Sequence, residues 1–385
     1  MKISVLAFDL SDNATGRADL LARLLAPRYD VDVVGPRFGD DIWRPARDGA
    51  VRYRALPGAR WPRLAATLPA LARLADGDVL FASKARPTSF GVALLARRRR
   101  RRPLIVDIDD WELGFLYRGG VWGRIGRLLN VSNPNGLPWT WLAERLVSRA
   151  DAVTVASRFL ADRFGGALVP HVRDTEAWAP ERFDRAAARA RLGLGDARIV
   201  MFLGTPRGYK GVDDLVEATA GLDGARLVLV GANPASASVR RWAAREHVRV
   251  VGEIAFDDVP RYLVAADVVA VPQRATTDTL GQVPAKLFDA MALGRPIVST
   301  AVAMIPEILE GCGVLVPPQD PIALRAALGR LLADPAAAAE LGRRARQRCA
   351  ERYSFTAARA VLFPLIDELA ARFGVRAATA AVPPA

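Results

Sequence analysis

A chain of 385 residues, 51% of them hydrophobic, is long enough for two ordinary domains and too apolar for a disordered protein. Its net charge of +13 asks for an acidic partner: nucleic acid, an anionic membrane surface or a phosphorylated small molecule. Two cysteines, Cys312 and Cys349, exclude a disulfide framework and sit in no metal-ligand spacing.

No apolar run reaches the length of a bilayer span, and the opening MKISVLAFDLSD lacks the apolar core and cleavage site of a signal peptide. A reducing cytoplasm is the expected location. In chain order, residues 2–8 read as a buried strand, followed by a polar loop ending at Gly16, a helix from Ala18 to Ala26 and a strand at 30–34. Further strands are expected at 78–82, 103–107, 151–156 and 167–169, with helical segments between most of them. This alternation predicts an α/β doubly wound parallel sheet with ligands at the strands' C-terminal ends.

Two loops at such ends carry chemistry-capable residues. Ser83, Lys84 and Arg86 follow strand 78–82. Asp107, Asp109, Asp110, Trp111 and Glu112 follow strand 103–107. Consecutive carboxylates in a loop serve as caps and solvated charges, or they orient a sugar hydroxyl or a catalytic proton. With no histidine or cysteine nearby, a structural metal is disfavoured.

Arg97 to Arg102 form an unbroken basic run. Such runs are usually solvated faces, although beside an anionic lipid surface each residue contributes about 1 kcal/mol. Nucleic acid fits the run poorly, because no base-stacking platform or helix-turn-helix accompanies it. Residues 115–141 are irregular and rich in Trp, Phe and Leu. The stretch Val121–Asn130 reads as a short amphipathic helix, packed on its own domain or lying on a membrane surface. The segment 170–183 (PHVRDTEAWAPERF) has the composition of an interdomain linker. It carries His171, a loop or interface residue, or one facing a cleft.

A second alternating series begins with strand 198–203, which leads through Gly204-Thr-Pro-Arg-Gly-Tyr-Lys-Gly211 into a helix. Strands follow at 225–230, 248–251 and 267–271, then the stretch TLGQVPAKLFDAMALGRPIVST (279–300). Its helix is expected to start at Pro284 and stop at Gly294, by the usual proline and glycine signals. Unpaired backbone N–H groups at such a start suit an anion. Lys286 in the first turn opposes the helix dipole unless a negative group binds there. Asp289, one turn on, is placed to accept hydrogen bonds from hydroxyls attached to that anion.

Glycines 204, 208 and 211 let the backbone approach a ligand, and Arg207 and Lys210 add two cations. The loop lacks the Gly-Lys-Ser/Thr ending of a phosphate-binding P-loop and the GxGxxG dinucleotide fingerprint, so NAD is disfavoured. Arg207, Lys210, Lys286 and the helix start at 284 would surround a diphosphate and stabilise the charge on a departing nucleoside diphosphate without a divalent metal.

FLGTPRGYKGVDDLVEA (202–218), VGEIAFDDVPRYLVAADVVAVP (251–272) and VPAKLFDAMALGRPIVST (283–300) resemble the diphosphate loop, base-binding loop and acidic helix of the GT-B retaining glycosyltransferases in the large family-4 group. Weaker likeness covers the Gly16 loop, VDIDDWE and PHVRDTEAW. The resemblance implies two Rossmann-like domains facing a central cleft: 1–175 for the acceptor and 176–354 for the nucleotide sugar. A helix at 355–375 returns to the first domain, and a disordered tail fills 376–385.

Donor contacts then fall to Gly204, Arg207, Lys210, Gly252, Ile254, Gln282, Val283, Pro284 and Asp289, with Asp289 on the ribose where the family usually has Glu. Asp109, Asp110 and Lys286 are the catalytic candidates. Gly16, Lys84, Arg86 and His171 face the acceptor or cleft. One departure stands out: the family's earlier glutamate falls on Gly281, with Asp278 the nearest acid, and Lys286 taking part of its role.

The implied reaction moves a sugar from a nucleotide diphosphate sugar, the co-substrate, to a glycan or lipid-linked acceptor with retention. It needs no other cofactor and no metal. Peripheral attachment to the inner face of a membrane follows from the basic run and the 115–141 segment. A nucleotide-sugar epimerase of the same fold, or a non-catalytic binding partner, is the alternative.

Overall fold

The computed structural model describes residues 1–47, 49–116, 121–193, 195–277 and 279–375. The tail expected at 376–385, Asp278, and Tyr117 and Arg118 of the aromatic segment lie outside the described residues. The chain divides into two compact units: Met1–Pro170 with the chain from Ala358 onward, and His171–Ala357.

The first unit holds seven parallel strands: β1 (Lys2–Leu6), β2 (Asp30–Arg37), β3 (Tyr53–Pro57), β4 (Val79–Ser83), β5 (Leu104–Ile108), β6 (Ala152–Val155) and β7 (Ala167–Leu168). Their order is β3-β2-β1-β4-β5-β6-β7, so the winding reverses between β1 and β4. Central strands are mostly apolar, as expected for a parallel sheet covered on both faces, and β4 and β5 are buried at every position, including Ser83 and Asp107. The sequence reading missed β3, whose YRALP alternates only weakly and ends in Pro. An edge strand, half-buried and paired on one side, tolerates both.

Gly16 is corrected from a loop position to the first turn of the helix Thr15–Leu25. The turn begins early because the Asp12 carboxylate accepts the Ala14 N–H (2.8 Å) and its carbonyl the Thr15 N–H (3.1 Å). From Ala358 the last helix, Phe355–Arg372, belongs to this unit. Arg359 donates to the Leu24 carbonyl (3.0 Å), and Asp367 accepts from Tyr29 (2.8 Å) while pairing with Arg28 (2.5 Å).

The strand directions separate two features that the sequence reading pooled into one membrane surface. Arg97–Arg102 lead into the start of β5, where Arg102 donates to the Gly77 carbonyl ahead of β4 (2.6 Å). The helix Glu112–Leu116, which opens the aromatic segment, follows the other end of β5. The five residues of β5, about 16 Å at about 3.3 Å each, lie between them.

The second unit holds six parallel strands: β8 (Arg198–Leu203), β9 (Ala225–Val230), β10 (Val248–Val251), β11 (Val268–Val271), β12 (Ile297–Thr300) and β13 (Val314–Val316). Their order, β10-β9-β8-β11-β12-β13, reverses between β8 and β11. Val200, Phe202, Leu227, Leu229 and Val268 are buried against Leu215, Leu324 and Leu328 of the covering helices. The three-residue edge strand β13 was not foreseen, being too short to show a period.

Candidate functional site

In the second unit, the loop leaving β8 sits at the reversal point, where open α/β sheets bind ligands. Gly204 (φ +99°) turns the chain so closely past the Ala285–Ala292 helix that a Cβ there would lie 3.7 Å from the Lys286 Nζ. Gly211 (φ +64°) caps the helix Val212–Ala220, and a Cβ on it would overlap the Pro272 carbonyl at 1.9 Å. The β8 and β11 exits are therefore pressed together. Arg274 completes the join: its N–H donates to the Tyr209 carbonyl (2.8 Å), and its guanidinium holds Asp214.

Two cations meet on this frame. Lys286 is 8% exposed, with its ammonium 3.6 Å from the centroid of the Phe202 ring. Burial, and then the nearby charge of Lys210, push its pKa well below the usual lysine value, with Asp289 partly opposing them. Lys210 donates to the Thr205 carbonyl (2.7 Å), folding the loop on itself. Arg207, next in the loop, is exposed. Pro284 is the N-cap residue of the Lys286 helix, Val283 is buried before it, and Gln282 donates its N–H to the Thr279 carbonyl (3.2 Å). Gly252, open on its Cβ side, and half-buried Ile254 follow β10, and the Gly252 carbonyl accepts from the Gly231 N–H (3.2 Å).

Asp289 does not simply await a ligand. It is 4% exposed, and its Oδ1 accepts the Nε–H of Arg173, a buried residue of the PHVRDTEAW segment. Burial raises the Asp289 pKa, and Arg173 works against that rise. His171, from the same segment, rests its ring 6.5 Å from Phe288.

The first unit gathers the other candidates after β4 and β5. Lys84 adopts φ +70°, held there by its N–H to the Asp107 carbonyl (2.7 Å) and by its own carbonyl accepting from Arg86 N–H (2.9 Å) and Ser89 Oγ (2.7 Å). Such strain in a non-glycine residue marks functional loops. Its ammonium sits among Asp109 (2.6 Å), Asp110 (2.9 Å) and Glu112 (3.0 Å), where a metal would otherwise have to balance three carboxylates.

Burial works against the lysine's charge, but these neighbours hold its pKa well above the usual value. The same burial pushes Asp109 up to about 6 despite Lys84. For Glu112 burial loses to Arg86 and Lys84, which hold it at about 2. Asp107, a candidate by sequence, is removed from the chemistry. It is fully buried, clamped by Arg17 through two bonds (2.9 and 2.8 Å) and bonded by Thr154 (2.7 Å).

Arg86 also donates to the Asn135 carbonyl (2.5 Å) and stacks 5.3 Å over Phe8. Phe8 and Asn135 line a cavity of about 450 Å³ together with Asp9, Phe38, Arg60 and Asn133. Two rings, an arginine, a carboxylate and two amides suit a hydroxylated ring with an anionic substituent.

Two family profiles match the chain: Glycosyl transferase 4-like domain over residues 14–173 and Glycosyl transferases group 1 over 197–334. The chain is a GT-B glycosyltransferase of the family-4 type. The enzyme is 29% identical, over 83% of its own length and 85% of the relative's, to a GDP-mannose-dependent alpha-(1-6)-phosphatidylinositol monomannoside mannosyltransferase of Mycolicibacterium smegmatis. It is 34% identical to a D-inositol 3-phosphate glycosyltransferase of Kineococcus radiotolerans over 54% of its own chain, spanning about half (53%) of that relative. Among solved structures, Anabaena HepE in complex with UDP and glucose superposes with a TM-score of 0.74 at 18% identity, covering 95% of this glycosyltransferase and 99% of HepE, which shows a shared fold.

Two residues of the site escaped sequence reasoning. Arg173 lay inside the presumed linker, in the PHVRDTEAW segment of weaker likeness, and was not singled out there. Gln273, 2% exposed at the β11 exit, has a buried side-chain nitrogen with no hydrogen-bond partner among the described residues. Its place directly after a predicted strand was the only clue available.

Proposed function

We propose that this glycosyltransferase binds the diphosphate of a nucleotide sugar in its second unit and passes the sugar to a polyol or sugar acceptor held by its first. The observation that carries the reading is the placement of Lys286 beside Lys210 in a glycine-lined strand exit, where burial and the neighbouring lysine depress the charge of Lys286. A diphosphate reverses that penalty. As the glycosidic bond breaks, negative charge grows on the departing oxygen, and Lys286, Lys210 and Arg207 take the role a divalent metal plays elsewhere. With Asp289 Oδ1 held by Arg173, the ribose contact falls to Oδ2.

In the first unit, Asp109 is the carboxylate poised near neutrality to accept the acceptor hydroxyl's proton, and Asp110 orients that hydroxyl. Retention of anomeric configuration belongs to the same reading. The acceptor is an amphipathic lipid with a polyol head. The cavity rim at Asn133–Asn135 continues from the helix Val121–Leu129, whose Trp122 (85% exposed), Ile125, Leu128 and Leu129 (71%) form an apolar ridge. The names of the two relatives, phosphatidylinositol monomannoside and inositol phosphate enzymes, point the same way.

Titration with UDP and GDP by calorimetry tests the donor site. Binding is expected for at least one of them, with proton uptake, because an anion restores the suppressed charge of Lys286. Affinity should fall as pH rises through the lowered Lys286 pKa. Lys210→Ala should weaken binding about tenfold or more. No heat with either nucleotide, or uptake unchanged in Lys286→Met, discards the site.

A further inference from the structure

Arg173 lies where the chain crosses between the two units. Its N–H donates to the Tyr353 carbonyl (2.9 Å), and its carbonyl accepts from Phe355 N–H (2.9 Å), so the outgoing and returning connections are stitched together at this residue. Its side chain turns inward and is 4% exposed. Nε donates to Asp289, Nη1 to the Val172 carbonyl (2.7 Å), and Nη2 reaches the Ala285 carbonyl (3.5 Å) in the helix's first turn. The guanidinium also stacks over Phe256 (5.2 Å) and Trp178 (5.6 Å), whose rings pack 5.5 Å apart.

One group therefore touches both walls of the donor site: the loop after β10 at Phe256 and the Lys286 helix at Ala285 and Asp289. A planar fork with several fixed donors suits this; a lysine ammonium does not.

We propose that Arg173 is the positioning residue of the donor site, fixing the spacing between the base loop and the Lys286 helix from the crossing point of the chain. It does so without touching the nucleotide. Its second effect is electrostatic, through a chain of two neighbours. Arg173 favours ionised Asp289, and ionised Asp289 favours protonated Lys286. Among the described residues, the other charged or titratable groups around this pair include Lys210, His171, Arg346, Tyr353 and Cys349. Burial pushes the Cys349 thiol up to about 12, so it takes no part below that pH.

This inference rests on the diphosphate reading, and the test separates the two. Wild-type protein is first titrated with UDP and GDP; a response there establishes the donor site independently. Arg173→Met, which keeps the stem and removes the fork, should then weaken binding of the responding nucleotide about ten- to hundredfold. It should also move the alkaline loss of binding to lower pH, a shift that a merely structural role would not produce. Arg173→Lys should recover little of either.

In the Arg173→Met background, Asp289→Leu should cost far less than it does alone, because the two act as one unit. If Arg173→Met does not fold, Asp289→Asn, equal in size and uncharged, must shift the same alkaline limb. Wild-type nucleotide affinity and an unmoved limb in a folded Arg173→Met, or in Asp289→Asn, overturn the inference while leaving the donor site standing.

Discussion

Each unit buries one lysine at the end of a parallel sheet, and the two are treated in opposite ways. Lys84 is surrounded by three carboxylates that hold its proton. Lys286 faces another lysine and an aromatic ring, and its one carboxylate neighbour among the described residues, Asp289, is shared with Arg173. In the first arrangement the cation is already paired in the free protein, with Lys84 and Arg86 set against Asp109, Asp110 and Glu112, which orders the loop that carries Asp109. In the second, the described residues give Lys286 no carboxylate of its own, and the proposed diphosphate would supply the counter-charge. Burial alone does not distinguish scaffold from binding site; the sign of what surrounds the buried charge does.

The strongest way to break this contrast is to remove each ammonium with the same substitution. Lys84→Met removes a shared partner from three buried or half-buried carboxylates, of which Glu112 keeps Arg86. It should destabilise the protein by about 3–5 kcal/mol, read as a lowered denaturation midpoint at unchanged slope. Lys286→Met removes a buried charge with no full partner. It should leave stability unchanged or higher while lowering nucleotide affinity about thirty- to hundredfold, the equivalent of about 2–3 kcal/mol of charge-assisted hydrogen bonds. Equal destabilisation by both would show that the two lysines do the same structural job.

A second test sharpens the comparison inside the first cluster. Asp109 and Glu112 share Lys84 yet titrate on opposite sides of normal, at about 6 and about 2. For Asp109 the folded pKa is raised, so its contribution to stability is complete below about 4 and is lost as pH rises through about 6. For Glu112 the folded pKa is depressed, so its contribution is present above about 4.5 and is lost as pH falls through about 2. In its proposed role as proton acceptor, Asp109 should give turnover an acidic limb near pH 6, with activity falling below it. Asp109→Asn should reduce kcat about a hundredfold and abolish the limb. A limb that persists unchanged in Asp109→Asn assigns the proton to another group.

Much of this was legible in the sequence, for identifiable reasons. Central strands announce themselves as short apolar runs, so β1, β4, β5, β8 and β9 were placed within a residue or two. The 204–211 and 284–294 stretches carry glycine and proline where the backbone demands them, and the convergence of Lys210 with Lys286 followed from their places at neighbouring strand exits. What sequence could not show was pairing across long separations. By sequence Asp107 groups with Asp109 as chemistry-capable, though not among the catalytic candidates, and nothing local points to Arg17, 90 positions away, which clamps it. Asp289 looked free until Arg173, 116 positions away, proved to hold it. A charged side chain's availability depends on the partner the fold brings to it, and no local pattern encodes that.

The smallest expected effect concerns the membrane, where the sequence suggested one surface and the fold presents two separate places. Around the Val121–Leu129 helix, Trp122 and Leu129 project into solvent, and Arg145 lies 3.9 Å over exposed Trp141, joining a cation to the apolar rim. At the other end of β5, Arg97 pairs with Asp151, Arg100 with Asp78, and Arg102 is buried, so much of that run's charge is spent within the protein. Trp122→Glu should therefore weaken flotation with anionic liposomes about tenfold, given about 1.5–3 kcal/mol for burying a large apolar side chain. Reversing the exposed Arg98 and Arg99 together should change it about twofold or less, although charges on a contacting face would contribute about 1 kcal/mol each. The opposite ranking would move the membrane contact to the basic run and detach it from the acceptor cavity, because those arginines stand at the wrong end of the sheet to feed a lipid headgroup to Asn135 and Arg60.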